Sequence, residues 1–280
     1  MTTIVVPLDG SAFAERAIRP ACSLAARLEQ ARVLLVSCAP DDIDAAQHEL
    51  DDRASLYSEV VDIETRIVGN GDPADVILAI AETEPDGMIC MATSGKGGIR
   101  AALLGSVSTQ VVCRSTQPLV LVGPRCRTTL LRAERGRLLV CSDGSDVSDS
   151  IVPTAATWCD RLQLEPWLTE VVGPDEDPEP AHQPHPNREV EAANERLATL
   201  ATRLHTPTHR ARTRVLHGDP SSSIAWFAER LPAALIAMAT HGRGGLTRIT
   251  MGSVAAEVVR HAPCPVLITR PADDLTPAAE

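Results

Sequence analysis

Two glycine motifs with identical spacing carry the clearest chemical signal in this sequence. They are Gly95-x9-Gly105-Ser106 and Gly242-x9-Gly252-Ser253. Glycines let the backbone turn tightly and approach a ligand, and a helix that starts there presents unpaired N–H groups and positive potential. That combination suits a polyphosphate. Lys96 and Arg243 follow the first glycine of each motif, where they either neutralise phosphate charge or are simply solvated.

Two aspartates form a second matched pair. Asp9 and Asp143 each follow a short apolar run that is typical of a strand. A carboxylate at the end of a strand could accept hydrogen bonds from a sugar hydroxyl or an adenine amino group. A helix N-cap or an Asx-turn explains either residue equally well, so both interpretations stay open.

These pairs belong to an internal repeat, which must be recognised before any element is assigned. The matching segments are Ile4–Ser11 with Leu138–Ser145, Gly71–Pro73 with Gly218–Pro220, Met91–Gly98 with Met238–Gly245, Leu104–Val107 with Met251–Val254, and Gln117–Leu121 with Cys264–Ile268. The first pair is offset by 134 positions and the second by 147. The sequence is therefore a duplication, and we place the extra length of the second half in Gly173 to Asn187.

The elements that position these residues alternate strictly between strands and helices. In the first half, strands are predicted at Thr3–Leu8, Arg32–Cys38, Ile63–Val68, Gly87–Ala92 and Pro118–Val122, and helices at Ala12–Leu28, Ala45–Glu59, Asp72–Thr83 (with Asp72 as N-cap) and Ser106–Arg114. Alternation of this kind implies crossover connections and a parallel sheet. The predicted fold class is α/β, with two tandem doubly wound, open, parallel five-stranded sheets and helices on both faces.

The repeat also sets the expected domain boundaries. They are 1–124 for the first domain, 125–136 for the linker, 137–271 for the second domain and 272–280 for a C-terminal tail. The fifth strands, Pro118–Val122 and Pro265–Ile268, are apolar edge candidates without a protective lysine. We expect the two domains to pair through these edges within one chain, and further homodimerisation stays open.

Composition excludes several classes of protein. Of the 280 residues, 44% are hydrophobic and 2% aromatic, and the formal net charge is −11. The charge repels phosphate backbones and anionic lipids, and few aromatics are available to stack on bases, so neither nucleic acid nor membrane is an expected partner. Eight cysteines without ligand spacing, and a start without a secretory pattern, favour reduced thiols and a cytoplasmic location. No metal site is expected, since His182 and His185 lack further ligands at suitable spacing.

The repeated motifs resemble the universal stress protein family in its tandem-domain form. The resemblance covers nearly the whole chain and rests on the Pro7-x-Asp9-x-Ser11 segment, the Gly71-Asp72-Pro73 triplet and the glycine motif running into Gly105-Ser106-Val107. The ATP-binding subclass of that family carries Gly-x2-Gly-x9-Gly-(Ser/Thr). This sequence has Ala92 and Ala239 at the first of those glycines.

The resemblance implies a site for ATP, with or without Mg²⁺, in each half. Adenine and ribose contacts would fall on Pro7, Asp9, Cys38, Met91 and Ala92, and phosphate contacts on Ser94, Gly95, Gly105, Ser106, Val107 and Ser108. In the second half the implied positions are Asp143, Val171, Met238, Ala239, His241, Gly242, Gly252, Ser253, Val254 and Ala255. Cys141 replaces Pro7 there, and Ala255 lacks the hydroxyl of Ser108.

Other nucleotide and catalytic motifs do not fit. A P-loop would need glycine at Cys90 and a hydroxyl residue at Gly97, and Asp72 places negative charge where the dinucleotide-like segment Gly69–Ala74 would bind pyrophosphate. No catalytic residues are assigned, and ATP hydrolysis is expected to be slow at most. The leading hypothesis is an ATP-binding stress or signalling protein whose occupancy changes its interactions. The alternatives are an adenine-nucleotide hydrolysing enzyme on the same fold and an interaction scaffold that has lost its ligand.

Overall fold

A computed structural model describes residues 1–38, 42–84, 86–93, 104–127, 136–173, 188–205, 209–240 and 251–269. The strands are β1 (Thr2–Leu8), β2 (Ala31–Cys38), β3 (Asp62–Val68), β4 (Met88–Ala92), β5 (Leu119–Val122), β6 (Arg137–Ser142), β7 (Glu165–Val172), β8 (Arg212–His217), β9 (Leu235–Ala239) and β10 (Val266–Thr269). The α-helices are α1 (Ile18–Ala25), α2 (Ile43–Ser55), α3 (Pro73–Glu82), α4 (Ser106–Arg114), α5 (Asp146–Asp149), α6 (Ile151–Leu162), α7 (Arg188–Arg203), α8 (Pro220–Arg230) and α9 (Ser253–His261).

The two halves have the same strand order. It is β3-β2-β1-β4-β5 in the first half and β8-β7-β6-β9-β10 in the second, with parallel neighbours throughout each half. The strands β5 and β10 pair antiparallel, so the two halves form one ten-stranded sheet. The predicted α/β class, with two doubly wound parallel halves, is confirmed.

Helices cover both faces of the sheet, and this explains the apolar character of the central strands. Every residue of β4, β5 and β9 is buried, as expected for strands covered on both sides. Each face has its own hydrophobic core, and each core includes residues of both halves. Aliphatic residues, together with small Ala and Cys side chains, supply nearly all of this packing, consistent with the low aromatic content.

The first predicted helix is shorter than the sequence pattern indicated. Instead of one helix over Ala12–Leu28, the structure has a 3₁₀ turn at Ala14–Ala17 followed by α1 at Ile18–Ala25. Pro20 gives the physical reason. Proline lacks a backbone N–H and is tolerated in the first turn of a helix, so regular α-helix begins just before it.

Both Asp-Pro pairs begin helices, which confirms the prediction made for Asp72. Asp72 accepts a hydrogen bond from the Ala74 N–H at 2.9 Å and begins α3. Asp219 accepts from the Ser222 N–H at 2.9 Å and from the Ser221 hydroxyl at 2.8 Å, and begins α8. Proline is tolerated directly after each aspartate, because the backbone N–H that it lacks would have no hydrogen-bond partner within the helix at this position.

Removing the Asp219 cap should destabilise the fold in a pH-dependent way. Donation by the Ser222 backbone N–H, and then by Ser221, lowers the pKa of Asp219 below its ordinary 3.8. The stabilisation is therefore complete above that ordinary value and is lost as the pH falls through the lower folded-state pKa. We expect Asp219→Ala to cost about 0.5–2 kcal/mol of unfolding free energy at pH 7, measured by urea denaturation.

Asp219→Asn is the matched control for this prediction. Asparagine caps helices about as well as aspartate but does not titrate, so stability should be kept and this part of the acid dependence removed. An Asp219→Ala variant as stable as the wild type at pH 7 would contradict the prediction.

The segment that follows β5 is bonded to both halves beside the β5–β10 pair. Arg16 donates from its guanidinium to the carbonyl oxygens of Pro124 at 3.1 Å and Cys126 at 2.9 Å. The Arg127 N–H donates to the Pro263 carbonyl at 2.8 Å. The segment that leaves β5 is thus bonded both to the first half and to the start of β10.

Gly123, at the end of β5, is required by close approach. A Cβ atom at this position would overlap with the backbone carbonyl of Val259 in α9. Both partners in this contact are backbone, so neither can rotate away as a flexible side chain would. The seam between the halves, where the end of β5 packs against α9, therefore requires a residue without a side chain at position 123.

We therefore predict that Gly123→Ala destabilises the protein. Overpacking of a well-packed site typically costs about 1–3 kcal/mol, and urea denaturation would measure the change in unfolding free energy. Gly173→Ala is the control, since a Cβ there meets nothing within 4 Å. Equal stabilities of the two variants would refute the role assigned to Gly123.

Candidate functional site

The predicted adenine and ribose residues meet at one edge of the first half. Strand β1 lies between β2 and β4, and connections leave it in both directions. Ligands of open α/β sheets bind in the crevice beyond such a reversal. At this edge the structure places Pro7 near the end of β1 and Asp9 directly after it, Cys38 at the end of β2, and Met91 and Ala92 at the end of β4.

The second half repeats this arrangement between β6, β7 and β9. Asp143 follows β6, Val171 lies near the end of β7, and Met238 and Ala239 end β9. Cys141 occupies the place of Pro7 and is buried. The structure thus brings together those predicted residues of each half that it describes.

Each glycine motif closes on a buried threonine that the sequence analysis did not assign. The Gly105 N–H donates to the Thr93 carbonyl at 2.7 Å, and the Gly252 N–H donates to the Thr240 carbonyl at 2.8 Å. Both threonines directly follow the last residue of a strand and are almost fully buried. Both threonines lie in a repeated segment, which could have drawn attention to them from the sequence. Only the fold shows that their carbonyl oxygens bond to Gly105 and Gly252.

Six of the residues considered for phosphate contact lie in 94–103 and 241–250, outside the described part of the chain. They are Ser94, Gly95 and Lys96 in the first half and His241, Gly242 and Arg243 in the second. Their assignment to phosphate stays a prediction.

The helices that follow Gly105 and Gly252 begin without a side-chain cap. Gly105 and Gly252 are the N-cap residues, and as glycines they have no side chain that could bond to the first turn of α4 or α9. The N–H groups of a first turn have no partner within the helix, and the helix dipole makes this end positive. Both ends can therefore hold an anion, and each lies beside the strand reversal of its half.

Apolar side chains line the same face of the sheet. Cys38, Val68, Leu104 and Val107 are partly buried against the core of this face in the first half. Val171 and Met251 do the same in the second. Val68, Leu104 and Met251 were not assigned from the sequence, because nothing in their spacing distinguishes a site wall from core. An apolar wall beside an anion-binding helix end suits a ligand with a flat apolar part and a charged part.

Both candidate aspartates close a turn. Asp9 Oδ1 accepts from the Ser11 N–H at 3.0 Å, and Asp143 Oδ1 accepts from the Ser145 N–H at 3.0 Å and the Ser145 hydroxyl at 2.6 Å. The glycine inside each turn has positive φ, 73° for Gly10 and 76° for Gly144. The Asx-turn is therefore present in both halves, and contact with a ligand stays a prediction.

The two cysteines of the sites are neutral thiols at neutral pH. Burial, and then the carboxylate of Asp72, raises the pKa of the half-buried Cys38. Burial raises the pKa of Cys141 to about 12. Each therefore acts as a small apolar group in the site wall rather than as a nucleophile.

Ser108 and Ala255 differ in what they contribute to the two halves. The Ser108 hydroxyl donates to the Ala92 carbonyl at 3.2 Å, tying the first turn of α4 to the end of β4. Ala255 is buried at the matching position of α9 and has no hydroxyl. Ser108 thus contributes to the shape of the first site in addition to any ligand contact.

Replacing Ser108 by alanine should lower stability, because the buried Ala92 carbonyl loses a donor. The expected cost is about 0.5–1.5 kcal/mol in urea denaturation. Ala255→Ser, which restores the hydroxyl in the second half, is the matched variant and should not lower stability. An unchanged midpoint for Ser108→Ala would show that this bond does not form in solution.

The residues that the structure describes lack two further features. They contain no cluster of three or more His, Cys, Asp or Glu side chains arranged for a metal ion. Among the same residues, no helix combines the length and apolar character needed to cross a membrane.

Comparison with known proteins agrees with the duplicated architecture. The model of the universal stress protein family matches twice, at residues 1–123 and 134–270. A universal stress protein of Mycolicibacterium smegmatis is 29% identical over 190 residues, which are 66% of this chain and 62% of the relative. One from Methanocaldococcus jannaschii is 48% identical over 58 residues, 21% of this chain and 34% of the relative. The chain thus covers between about a third and three fifths of these relatives.

Solved structures show the same fold over the whole chain. A universal stress protein from Archaeoglobus fulgidus superposes with a TM-score of 0.65 at 19% identity, covering 96% of this chain and 98% of its own. A protein of unknown function from Pseudomonas aeruginosa PAO1 also gives 0.65, at 18% identity, with 98% and 94% covered.

Two doubly wound halves with matched sites define a tandem α/β protein. The chain belongs to the universal stress protein family, which confirms the resemblance inferred from the motifs.

Proposed function

We propose that this protein binds ATP at the strand reversal of each half and that nucleotide occupancy alters its interactions with a partner in stress response or signalling. The observation that carries the proposal is the repeated construction of the site. In both halves a glycine N–H is bonded to a buried threonine carbonyl and opens an uncapped helix beside an apolar wall. The ligand residues proposed are those named from the family resemblance.

The parts of the site match the parts of the ligand. The apolar wall of Cys38, Val68 and Leu104 suits an adenine ring, and the first turn of α4 suits phosphate oxygens. Asp9, exposed at the end of β1, suits a ribose hydroxyl. We propose binding in preference to rapid turnover because the glycine motifs lack the P-loop pattern and no base for the attacking water was assigned.

The paired arrangement of the halves is part of the proposal. We propose that the β5–β10 pairing persists in solution as a pseudo-twofold unit that acts in the cytoplasm, with dimerisation of whole chains as a further step. An antiparallel pair of apolar edges supports this, since unpaired edges of this kind invite association.

ATP titration of charge-bearing glycine variants tests the function. Gly95→Asp and Gly242→Asp each place a negative charge where phosphate is proposed to lie. Like charges ~4 Å apart repel by about 1 kcal/mol in water and about 4 kcal/mol at an effective dielectric of about 20. About 1.4 kcal/mol is a tenfold loss of affinity, so calorimetry should find two sites in the wild type, one in each single variant and none in the double variant.

Circular dichroism establishes that each variant is folded, and Lys96→Ala serves as a milder control that should weaken binding less. Unchanged binding by a folded double variant would remove the glycine motifs from the mechanism. Assay of product formation on the same samples distinguishes retention from hydrolysis. Stoichiometric retention without product supports binding, and rapid turnover would favour the enzyme alternative.

A further inference from the structure

A network of hydroxyl and carboxylate groups surrounds the Asp143 turn in the second half. The Ser142 hydroxyl donates to Asp149 Oδ1 at 2.6 Å and accepts from the Gly144 N–H at 2.9 Å. The Ser148 hydroxyl accepts from the Asp143 N–H at 3.1 Å and donates to the Ser145 carbonyl at 3.0 Å. Ser142 and Ser148 are both buried, so these bonds are shielded from water.

The first half cannot form this network, because its residue types differ. At the offset of the first repeat, Leu8, Ala14 and Glu15 take the places of Ser142, Ser148 and Asp149. Leu8 and Ala14 are buried in the apolar core. Glu15 forms an ion pair with Arg53 of α2 at 3.0 Å. The two turns therefore have the same backbone conformation, but different side chains surround them.

Charged groups face Asp149 from several elements. Burial, with the neighbouring carboxylates of Asp143 and Asp146, raises the pKa of Asp149, while the Ser142 bond and Arg203 of α7 oppose this rise. On β7 beside the network, buried Glu170 is paired with Arg196, also of α7. The charge of Asp149 therefore acts close to Asp143.

We infer that Ser142, Ser148 and Asp149 are positioning residues of the second site, where they hold the Asp143 turn ready for the ligand and give this site a pH response that the first site lacks. The inference rests on the proposed function, since it requires a ligand at Asp143. A turn that is already rigid loses less conformational entropy when the ligand binds. Each hydrogen bond that holds the turn therefore increases affinity by lowering this entropic cost. The two halves are then unequal sites on one framework.

The direction of the pH response follows from the charge. As the pH falls towards the raised pKa of Asp149, its carboxyl loses the negative charge that repels an anionic ligand. A neutral carboxyl still accepts from Ser142 through its carbonyl oxygen, so the turn is kept. Affinity at the second site should rise relative to the first as the pH falls, and the ratio of the two cancels the titration of ATP itself.

Calorimetric titration of ATP from pH 8 down to the lowest pH at which circular dichroism shows the full chain still folded tests the inference. A Gly95→Asp background leaves the second site to be measured, and a Gly242→Asp background leaves the first. Ser148→Ala and Asp149→Ala should weaken the second site roughly two- to tenfold, the effect of one hydrogen bond, and leave the first unchanged. Asp149→Asn should recover the affinity lost in Asp149→Ala. In a His241→Asn background, where this phosphate residue of the second site does not titrate, Asp149→Asn should also abolish the pH dependence of the ratio.

Glu15→Gln is the matched control in the first half and should change neither site more than about twofold. If Ser148→Ala does not fold, the two Asp149 variants are sufficient to test the inference. A wild type that binds no ATP overturns the proposed function and this inference together. Two ATP sites in the wild type, with the second site unaffected by the Asp149 variants, overturn only the inference.

Discussion

Parallel strands cannot be joined by a tight turn, and the rest of this structure follows from that constraint. Each strand must return across a face of the sheet through a helix. Because β1 has neighbours on both sides, the chain first builds outward to β2 and β3 and then crosses back to β4 and β5. The chain therefore leaves β1 and β4 in opposite directions, and open α/β sheets bind their ligands beyond such a reversal.

The second constraint is the edge that each half leaves at its fifth strand. Apolar edge strands associate with other chains unless they are covered, and this chain covers each edge with the other. The pairing makes the core of each face continuous from one half to the other. It also demands close backbone approach at Gly123, so the seam is specified by a missing side chain as much as by any contact.

Duplication has kept the backbone of the site and changed the groups around it. Both halves retain the glycine-to-threonine closure, the uncapped helix and the aspartate turn. Around these, Ser108 ties α4 to β4 in the first half, while serines and Asp149 hold the turn in the second. The shared conformation is held by main-chain hydrogen bonds and by the two aspartate carboxylates, whereas the side chains around them differ between the halves.

The sequence by itself determined the duplication, the order and type of most elements, and the family. Short β-branched runs indicate strands, Asp-Pro pairs indicate helix starts, and the glycine motifs occur twice with one spacing. Each of these features is local, so it can be recognised without the fold. The sequence also placed the candidate site residues at strand ends, because parallel strands share one carboxyl edge.

Only the tertiary structure decided the rest. Thr93 and Thr240, the walls formed by Val68 and Leu104, and the bond from Ser108 to Ala92 all depend on which strand ends meet. The same holds for the Ser142 network, since a serine beside an aspartate fits a helix cap, a turn or a ligand contact equally well. The local sequence pattern determines the backbone conformation of each segment. Where that pattern allows several roles for one side chain, hydrogen bonds and packing between distant segments determine which role it has.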